Sequence, residues 1–545
     1  MNEAFADKIQ MQHMLFSELS NMFGHEVPLY DKALLVNKEC NKTVCDLLAK
    51  HYPGFTLSDS QLDKTSGERH GAIRIGKADE YRWVTGFFGA FGMEPHNYYD
   101  MTNVGSKSQP IVATAFRSRL NPEHRIFCSL LMTDYFDPET RKRIEGLLAT
   151  REVFSDKAKG LIEKNAKQGG LSESDAKELI REGTTRIFKW TGKARDHHLY
   201  QDLSAAGFKI AADIACFESH HLNHLTPNTF CMDFYTASMK FCMGELDSET
   251  YHVRASMALD RLMEFADCDY MKLHFKHLTL AQIHSFGRGD VPAYDIMGAV
   301  VKVGRRFREP DLDLTKLKHA GFKDFTEGPS EDTPILLRQD AYKALTEPVT
   351  FHEADGSKVE TVHTARFGEV EQRFYATTLV GRELYDKCLA EADVMKEKNP
   401  GLMKKDYDEY RKAYANCFAA FPKTLSGLLT QKLVYGRFSP TEKGLEAAKK
   451  KQMVGSDLSD LMQRGYVQVE GLRYEDFLPV SAAGIFASNL GQYGTKSTAA
   501  EKPVYRKEQL EEIMGRKIVD SNETYRNLEA ESVAKTRAQL GIKTN

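Results

Sequence analysis

Short segments with alternating apolar and polar residues stand between long charged segments with helical periodicity, and this mixture most constrains the fold. In residues 70–75, isoleucines alternate with polar or small residues, which is the period of two typical of a β-strand. Residues 138–190 and 383–465 are charged and repeat their apolar residues at helical spacing. The pattern predicts an α+β protein in which a few strands are interrupted by large helical insertions.

The composition excludes several classes of protein. Hydrophobic residues make up 41% and charged residues 28% of the 545 residues, the balance of a globular domain. The net charge of −3 lacks the basic footprint of a nucleic-acid binder, and no apolar run reaches the length of a membrane span. The nine cysteines include no Cys-x-x-Cys pair, and the N-terminus lacks a signal-peptide pattern. We therefore expect reduced thiols, a cytoplasmic location, and neither a nucleic-acid nor a membrane partner.

No linker is long or biased enough to divide the chain into independent domains, so we expect one integrated catalytic unit. Its predicted segments are N-terminal helices in 1–60, a core with helical insertions in 61–382, a helical insertion in 383–465, a pocket-closing segment in 466–495 and a helical tail in 496–545.

The first chemically informative segment is the strand around His70. On a strand, His70, Ala72 and Arg74 share one face. An imidazole and a guanidinium on one face suit an anionic ligand bound at a metal. The alternative is an edge strand whose polar face is in water.

The second segment contains three histidines within five positions, His220, His221 and His224. His220 and His224 have the spacing of two zinc ligands on a helix, but Pro227 disfavours a helix that continues beyond them. A strand or turn would leave only one or two of the three as ligands. The alternative is a loop cluster held by hydrogen bonds.

The third segment follows Arg366 and places Phe367, Glu369, Glu371 and Arg373 on one strand face. One carboxylate suits a metal, and the other suits an ion pair with Arg373. The alternative is a solvated strand with weak ion pairs. Taken together, two histidines and one carboxylate from distant strands form the facial triad of non-haem Fe(II) oxygenases.

Two resemblances extend this interpretation. Residues 367–373, Phe-Gly-Glu-Val-Glu-Gln-Arg, resemble the last metal-ligand strand of 4-hydroxyphenylpyruvate dioxygenases, which places the ligand at Glu369 and not at Glu371. The chain more closely resembles the 2-oxoadipate dioxygenase/decarboxylase family. The matching segments, in family order, are 68–74, 223–227, 335–339, 363–369 and 474–481.

The second resemblance implies a fold, a reaction and a site. The fold is vicinal-oxygen-chelate-like, with βαβββ modules that form a half-open barrel around a metal. The reaction uses Fe(II) to convert 2-oxoadipate and O2 to 2-hydroxyglutarate and CO2 in lysine catabolism. The implied metal ligands are His70, His224 and Glu369. Arg74 is the implied contact of the distal carboxylate, and Val480 and Ser481 are implied to close the pocket. Gln339 is implied to contact either a metal ligand or the substrate.

The chain also departs from the family pattern. Phe374 stands where the motif usually continues with glycine. We also expect the chain to be longer than the bacterial members of the family, with extra helical material in 138–190 and 383–465. These departures bear on the geometry of the loops and on the chain length of the substrate. They do not change the predicted triad.

Two other functions are compatible with the same residues. One is an oxygen-independent divalent-metal isomerase or lyase of the vicinal oxygen chelate type that acts on a 2-oxo acid. The other is a protein that sequesters a ligand without chemistry. Fold alone does not distinguish them.

Overall fold

The structure is a computed structural model that describes residues 5–120, 122–323, 326–364, 366–451, 457–478, 482–483, 485 and 495–542. It is a mixed α+β protein with several small sheets, as predicted. The strands are β1 Arg69–Ile75, β2 Glu94–Asp100, β3 Ile111–Arg117, β4 His124–Leu131, β5 Lys193–Arg195, β6 His224–Pro227, β7 Leu337–Ala341, β8 Thr346–His352, β9 Lys358–Thr364, β10 Glu369–Arg373, β11 Gly436–Pro440 and β12 Val467–Gly471.

The helices surround these sheets. They are α1 Lys8–Glu26, α2 Pro28–His51, α3 Asp59–Ser66, α4 Ala78–Ala90, α5 Pro138–Ala149, α6 Asp156–Gln168, α7 Glu173–Glu182, α8 His197–Ala205, α9 Lys209–Cys216, α10 Met232–Cys242, α11 Ser248–Phe265, α12 Cys268–His274, α13 Leu280–Ser285, α14 Ala293–Arg306, α15 Leu379–Lys398, α16 Leu402–Lys405, α17 Tyr407–Asn416, α18 Leu425–Thr430, α19 Glu442–Lys449, α20 Leu458–Gln463, α21 Lys507–Met514 and α22 Ser521–Gln539.

The largest sheet has the strand order β2-β3-β4-β1-β6. Strand β1 lies in its interior, parallel to β4 and antiparallel to β6. Helix α4 makes the crossover from β1 to β2, and β2, β3 and β4 then follow as antiparallel neighbours. Both faces of β1 are covered, because every residue from His70 to Ile75 is buried.

A second set of pairings continues from β6. Asn228, directly after β6, forms a parallel bridge with Glu371 of β10, and the backbone N–H of Thr229 donates to the Glu371 carbonyl at 2.8 Å. Strand β10 pairs antiparallel with β7. Gln339 of β7 is bridged to Glu327, and Tyr342, directly after β7, is bridged to Phe322. The strands that carry the predicted ligands, β1, β6 and β10, are therefore neighbours.

The C-terminal part differs from its prediction. The segment 383–465 contains strand β11, which pairs antiparallel with β12, and helix α22 packs against β11. The alternation in β11 is short and polar, which is why the sequence favours helix or loop there. Among the described residues the hydrogen-bonded strands form separate sheets and close no barrel. No described helix is both long and apolar enough to cross a membrane.

Candidate metal centre

The structure brings His70, His224 and Glu369 together in the protein interior. Their possible ligand atoms all lie within 4.8 Å of one another, and all three residues are buried. Oε2 of Glu369 lies 3.5 Å from Nε2 of His70 and 3.7 Å from Nε2 of His224. Three residues far apart in sequence thus present two imidazole nitrogens and one carboxylate to a single point.

Strand register explains this convergence. His224 opens β6 opposite Ala72 of β1, two residues from His70, so both imidazoles lie on the same face of the sheet. Glu369 opens β10 directly after Gly368. A Cβ at Gly368 would lie 2.0 Å from Cε1 of Tyr342, so only glycine lets β10 begin at this point.

Unsatisfied polar atoms mark the centre as a site for a cation. Nε2 of His70, both ring nitrogens of His224 and Oε1 of Glu369 have no hydrogen-bond partner within the described parts of the chain. Buried polar groups are rarely left unpaired. Burial and the nearby His70 hold the pKa of His224 well below its usual range, which keeps the imidazole neutral, the form that binds metal. The residues present therefore fit a metal ion.

Glu371 has a different role from Glu369, although both lie on β10. Its Oε2 is 2.8 Å from Nδ1 of His70. Arg373 donates to both carboxylate oxygens, at 2.7 and 2.9 Å, and Arg125 donates to Oε1 at 3.3 Å. Although burial alone raises it, these positive charges hold the pKa of Glu371 below its usual range. An ionised Glu371 keeps the proton of His70 on Nδ1 and leaves Nε2 free for a metal.

Aromatic rings form the walls of the centre. The Phe367 ring lies 4.7 Å from the His224 ring, and the Phe477 ring lies 5.0 Å from the His70 ring. All four side chains are buried. Such walls exclude water and strengthen electrostatic interactions inside the site.

Arg74 lies in the same cleft as His224. We call it the inner cleft; its lining includes Ala72, Arg74, Phe127, Ser129, Asn223 and His224. Nη1 of Arg74 donates to Oδ2 of Asp213 at 3.1 Å, and Nη2 donates to the Ala483 carbonyl at 3.2 Å. Arg74 therefore lies in the cleft and has a buried counter-ion, and its role in substrate binding stays a prediction.

Asp213 stands in a polar cluster behind Arg74. Burial raises its pKa to about 6, against the opposing charges of Lys209 and Arg74. Its Oδ1 lies 3.6 Å from Nδ1 of His363, and that nitrogen is 2.9 Å from the Tyr200 hydroxyl.

The remaining predicted site residues have mixed outcomes. Gln339 is buried opposite Glu371 in the β7–β10 register, and neither of its amide atoms has a hydrogen-bond partner in the described structure. It therefore lies on the face that carries the triad. Val480 and Ser481 lie outside the described residues, so their predicted role in closing the pocket stays a prediction.

The histidine cluster resolves into one member of the triad and two other residues. His220 lies 3.0 Å from Glu80, and His221 packs against Trp190 with ring centroids 4.7 Å apart. No helix joins His220 to His224, because β6 begins at His224. The helical pair of ligands is therefore wrong. The solvated-strand alternatives for β1 and β10 are also wrong, because both strands are buried.

Three neighbours of the site escaped prediction from the sequence: Arg125, Asp213 and Asn223. Asp213 is a lone charge among the apolar residues of 210–216, and Arg125 directly precedes the largely apolar segment 126–132. Such isolated charges were the available signal, because a buried charge requires a partner.

Comparisons with known proteins identify the family of this chain. The profile of the 2-oxoadipate dioxygenase/decarboxylase family matches residues 15–246 and 247–489. The chain is 31% identical over 537 residues to the 2-oxoadipate dioxygenase/decarboxylase of Pseudomonas putida, covering 96% of this chain and 95% of the relative. It is 30% identical over 548 residues to the Escherichia coli protein of the same description, covering 99% of each chain.

A solved structure is also similar over nearly the whole chain. The crystal structure of hydroxyglutarate synthase from Pseudomonas putida in complex with 2-oxoadipate gives a TM-score of 0.67 at 28% identity, covering 99% of this chain and 100% of the other. The expected extra helical material in 138–190 and 383–465 stays a prediction. The predicted family and the predicted enzyme class are confirmed. The chain belongs to the 2-oxoadipate dioxygenase/decarboxylase family.

Proposed function

We propose that this protein is an Fe(II)-dependent enzyme that converts 2-oxoadipate and O2 to 2-hydroxyglutarate and CO2, with His70, His224 and Glu369 as its metal ligands. The observation that carries the proposal is the buried, convergent triad, in which Nε2 of both histidines and Oε1 of Glu369 have no hydrogen-bond partner among the described residues. Family membership supports the reaction, and the 2-oxoadipate complex of the Pseudomonas putida enzyme supports the substrate.

The donor set supports iron in particular. Two histidines and one carboxylate with open positions are typical of non-haem Fe(II) oxygenases. Bound there, Fe(II) would supply a Lewis acid and redox centre that accepts the 2-oxo carboxylate and dioxygen together. The binding and orientation of the substrate depend on the side chains that neighbour the triad.

Each neighbouring side chain has a defined task in the proposal. Glu371 holds the His70 ring in one orientation and one tautomer. Arg74 binds the distal carboxylate of the substrate, since guanidinium and carboxylate pair with two parallel hydrogen bonds. Phe367 and Phe477 keep water from the metal face of the cleft. Gln339 offers a buried amide either to one of the proposed metal ligands or to the substrate.

We also propose a vicinal-oxygen-chelate-like architecture. The first module is β1, α4, β2, β3 and β4, a βαβββ order in which β4 is parallel to β1. In the second, β6 is followed by helices, the bridged segment around Phe322 and strands β7 to β10. Asn228, directly after β6, is bridged parallel to Glu371 of β10. These matching pairings support two modules around one cleft. The free state of all nine cysteines supports the cytoplasmic location that we propose.

Oxygen consumption tests the proposal. Protein reconstituted anaerobically with Fe(II) is mixed with O2 and either 2-oxoadipate or 2-oxoglutarate. We expect oxygen uptake with 2-oxoadipate, matched one-to-one by CO2 release, and far slower uptake with the shorter acid. Turnover of a 2-oxo acid without oxygen would instead establish the isomerase or lyase. Binding without turnover would establish a sequestering protein.

A further inference from the structure

Asn223 presents a buried amide to the inner cleft. Asn223 is only 2% exposed. Neither Nδ2 nor Oδ1 has a partner among the residues that the structure describes. It lines the cleft together with Arg74 and His224. A buried amide that satisfies neither donor nor acceptor costs free energy, and such groups commonly meet a ligand.

The backbone fixes where this amide stands. The N–H of Asn223 donates to the carbonyl of Ala72 at 3.0 Å. Ala72 lies between His70 and Arg74 on β1. Asn223 is thus held beside the stretch of β1 that joins the metal centre to the predicted carboxylate-binding arginine.

Arg74 alone cannot donate to all the hydrogen-bond acceptors of a bound substrate carboxylate. Both of its terminal nitrogens already donate, one to Asp213 and one to the Ala483 carbonyl. A carboxylate accepts about four hydrogen bonds, more than the remaining N–H groups of one guanidinium can supply. The cleft also keeps a second anion, Asp213, on the same guanidinium. A neutral donor such as an amide N–H strengthens binding of a further carboxylate without adding charge.

We infer that Asn223 is a substrate-binding residue that donates from Nδ2 to the distal carboxylate of a linear 2-oxo dicarboxylate held by Arg74, and that it thereby selects dicarboxylates over 2-oxo acids with an apolar end. This inference rests on the proposed function, and it adds a residue to which neither the motifs nor the family comparison assigned a role.

Equilibrium binding under anaerobic conditions tests it. Fe(II)-loaded wild type, Asn223→Ala and Asn223→Asp are titrated with 2-oxoadipate and with 2-oxohexanoate, which lacks the distal carboxylate. We expect the Kd for 2-oxoadipate to rise about tenfold in Asn223→Ala and further in Asn223→Asp, where a carboxylate faces a carboxylate. The Kd for 2-oxohexanoate should stay within about twofold. Equal loss for both ligands, or no loss for 2-oxoadipate, would overturn the inference.

Two controls separate this role from a structural one. Asn165→Ala removes another buried amide, on α6 outside the cleft, and should leave both Kd values unchanged. The thermal midpoint of metal-loaded, substrate-free Asn223→Ala should equal or exceed that of wild type, since an unpaired amide contributes nothing to stability. A lowered midpoint or weakened Fe(II) binding in Asn223→Ala would assign Asn223 to the scaffold. If wild type itself binds both acids equally and consumes no oxygen, the proposed function fails.

Discussion

Glu369 and Glu371 lie on the same face of β10, yet their carboxylates meet different partners. Glu369 faces the two imidazole Nε2 atoms of the triad. Glu371 faces Nδ1 of His70 and the two guanidinium groups of Arg373 and Arg125. A spacing of two residues therefore separates the proposed metal ligand Glu369 from the carboxylate that orients His70, another proposed ligand.

Substitution of each glutamate tests this division. We expect Glu369→Gln to abolish stoichiometric Fe(II) binding. Glu371→Gln should still bind one Fe(II), with a Kd raised about 10- to 100-fold, because partners of metal ligands typically have effects of that size. Competition with a chelator measures both. Loss of the metal site in Glu371→Gln with retention in Glu369→Gln would exchange the two roles.

Arg74 reads the far end of the substrate in this account. Arg74→Ala should lower kcat/KM for 2-oxoadipate about 10- to 100-fold, the range of a hydrogen bond to a charged group. Its Fe(II) content should remain near that of wild type, because Arg74 contacts Asp213 and Ala483 and not the triad. Equal losses of iron and activity would remove its role in specificity.

At the scale of elements, helix α9 carries Asp213, the carboxylate that pairs with Arg74 and competes with the substrate for its guanidinium. Asp213 is otherwise surrounded by the apolar residues of α9, and its neighbours with polar groups are Arg74, Lys209, His363 and Tyr200. Burial raises the pKa of Asp213 to about 6. Above this pH the carboxylate is charged and competes with the substrate for Arg74; below it the carboxyl is neutral.

The pH dependence of substrate binding follows from that pKa. Because Asp213 loses its charge as the pH falls from 7.5 to 5.5, KM for 2-oxoadipate at saturating Fe(II) should fall severalfold over this range. In Asp213→Asn the KM should be low and nearly constant. Using 2-oxohexanoate as the control substrate removes effects of pH on the metal centre. The same slope in wild type and Asp213→Asn would contradict the argument.

The elements differ in how far the sequence predicts them. Strand β1 follows from its alternation of isoleucine with polar or small residues, and the motifs around β1, β6 and β10 select the triad. Strand β2, with the sequence Glu-Pro-His-Asn-Tyr-Tyr-Asp, lacks alternation and is formed by pairing with β3. The contact of His70 with Glu371 was not predictable, because it depends on the register of strands about 300 residues apart.

At the scale of the whole molecule, buried charges connect the metal centre to the C-terminal helix. Arg125 contacts Glu371, Glu68 and Glu475. Arg373 donates to the carbonyls of Tyr474 and Asp476, and the Asp476 carboxylate accepts from Ser521 and Tyr525 of α22. Distant parts of the chain thus share one network around His70.

Metal binding should therefore stabilise the folded state of the whole chain. With free Fe(II) at about 100 times its Kd, the folded state gains about 2.7 kcal/mol, which for a chain of this length raises Tm by about 2–3 °C. Anaerobic calorimetry with and without a chelator measures the difference. Glu369→Gln should show no shift; a wild-type-sized shift in that variant would place the bound metal elsewhere.

In the proposed reaction both atoms of O2 enter the 2-hydroxyglutarate, and labelled oxygen tests this reaction most directly. Fe(II)-loaded protein is given 2-oxoadipate under 18O2, and the 2-hydroxyglutarate formed is analysed by mass spectrometry. We predict two heavy oxygen atoms in the product, one in the new carboxylate and one in the hydroxyl group, and loss of the signal in Glu369→Gln. A product without heavy oxygen, formed equally well without O2, would contradict the account.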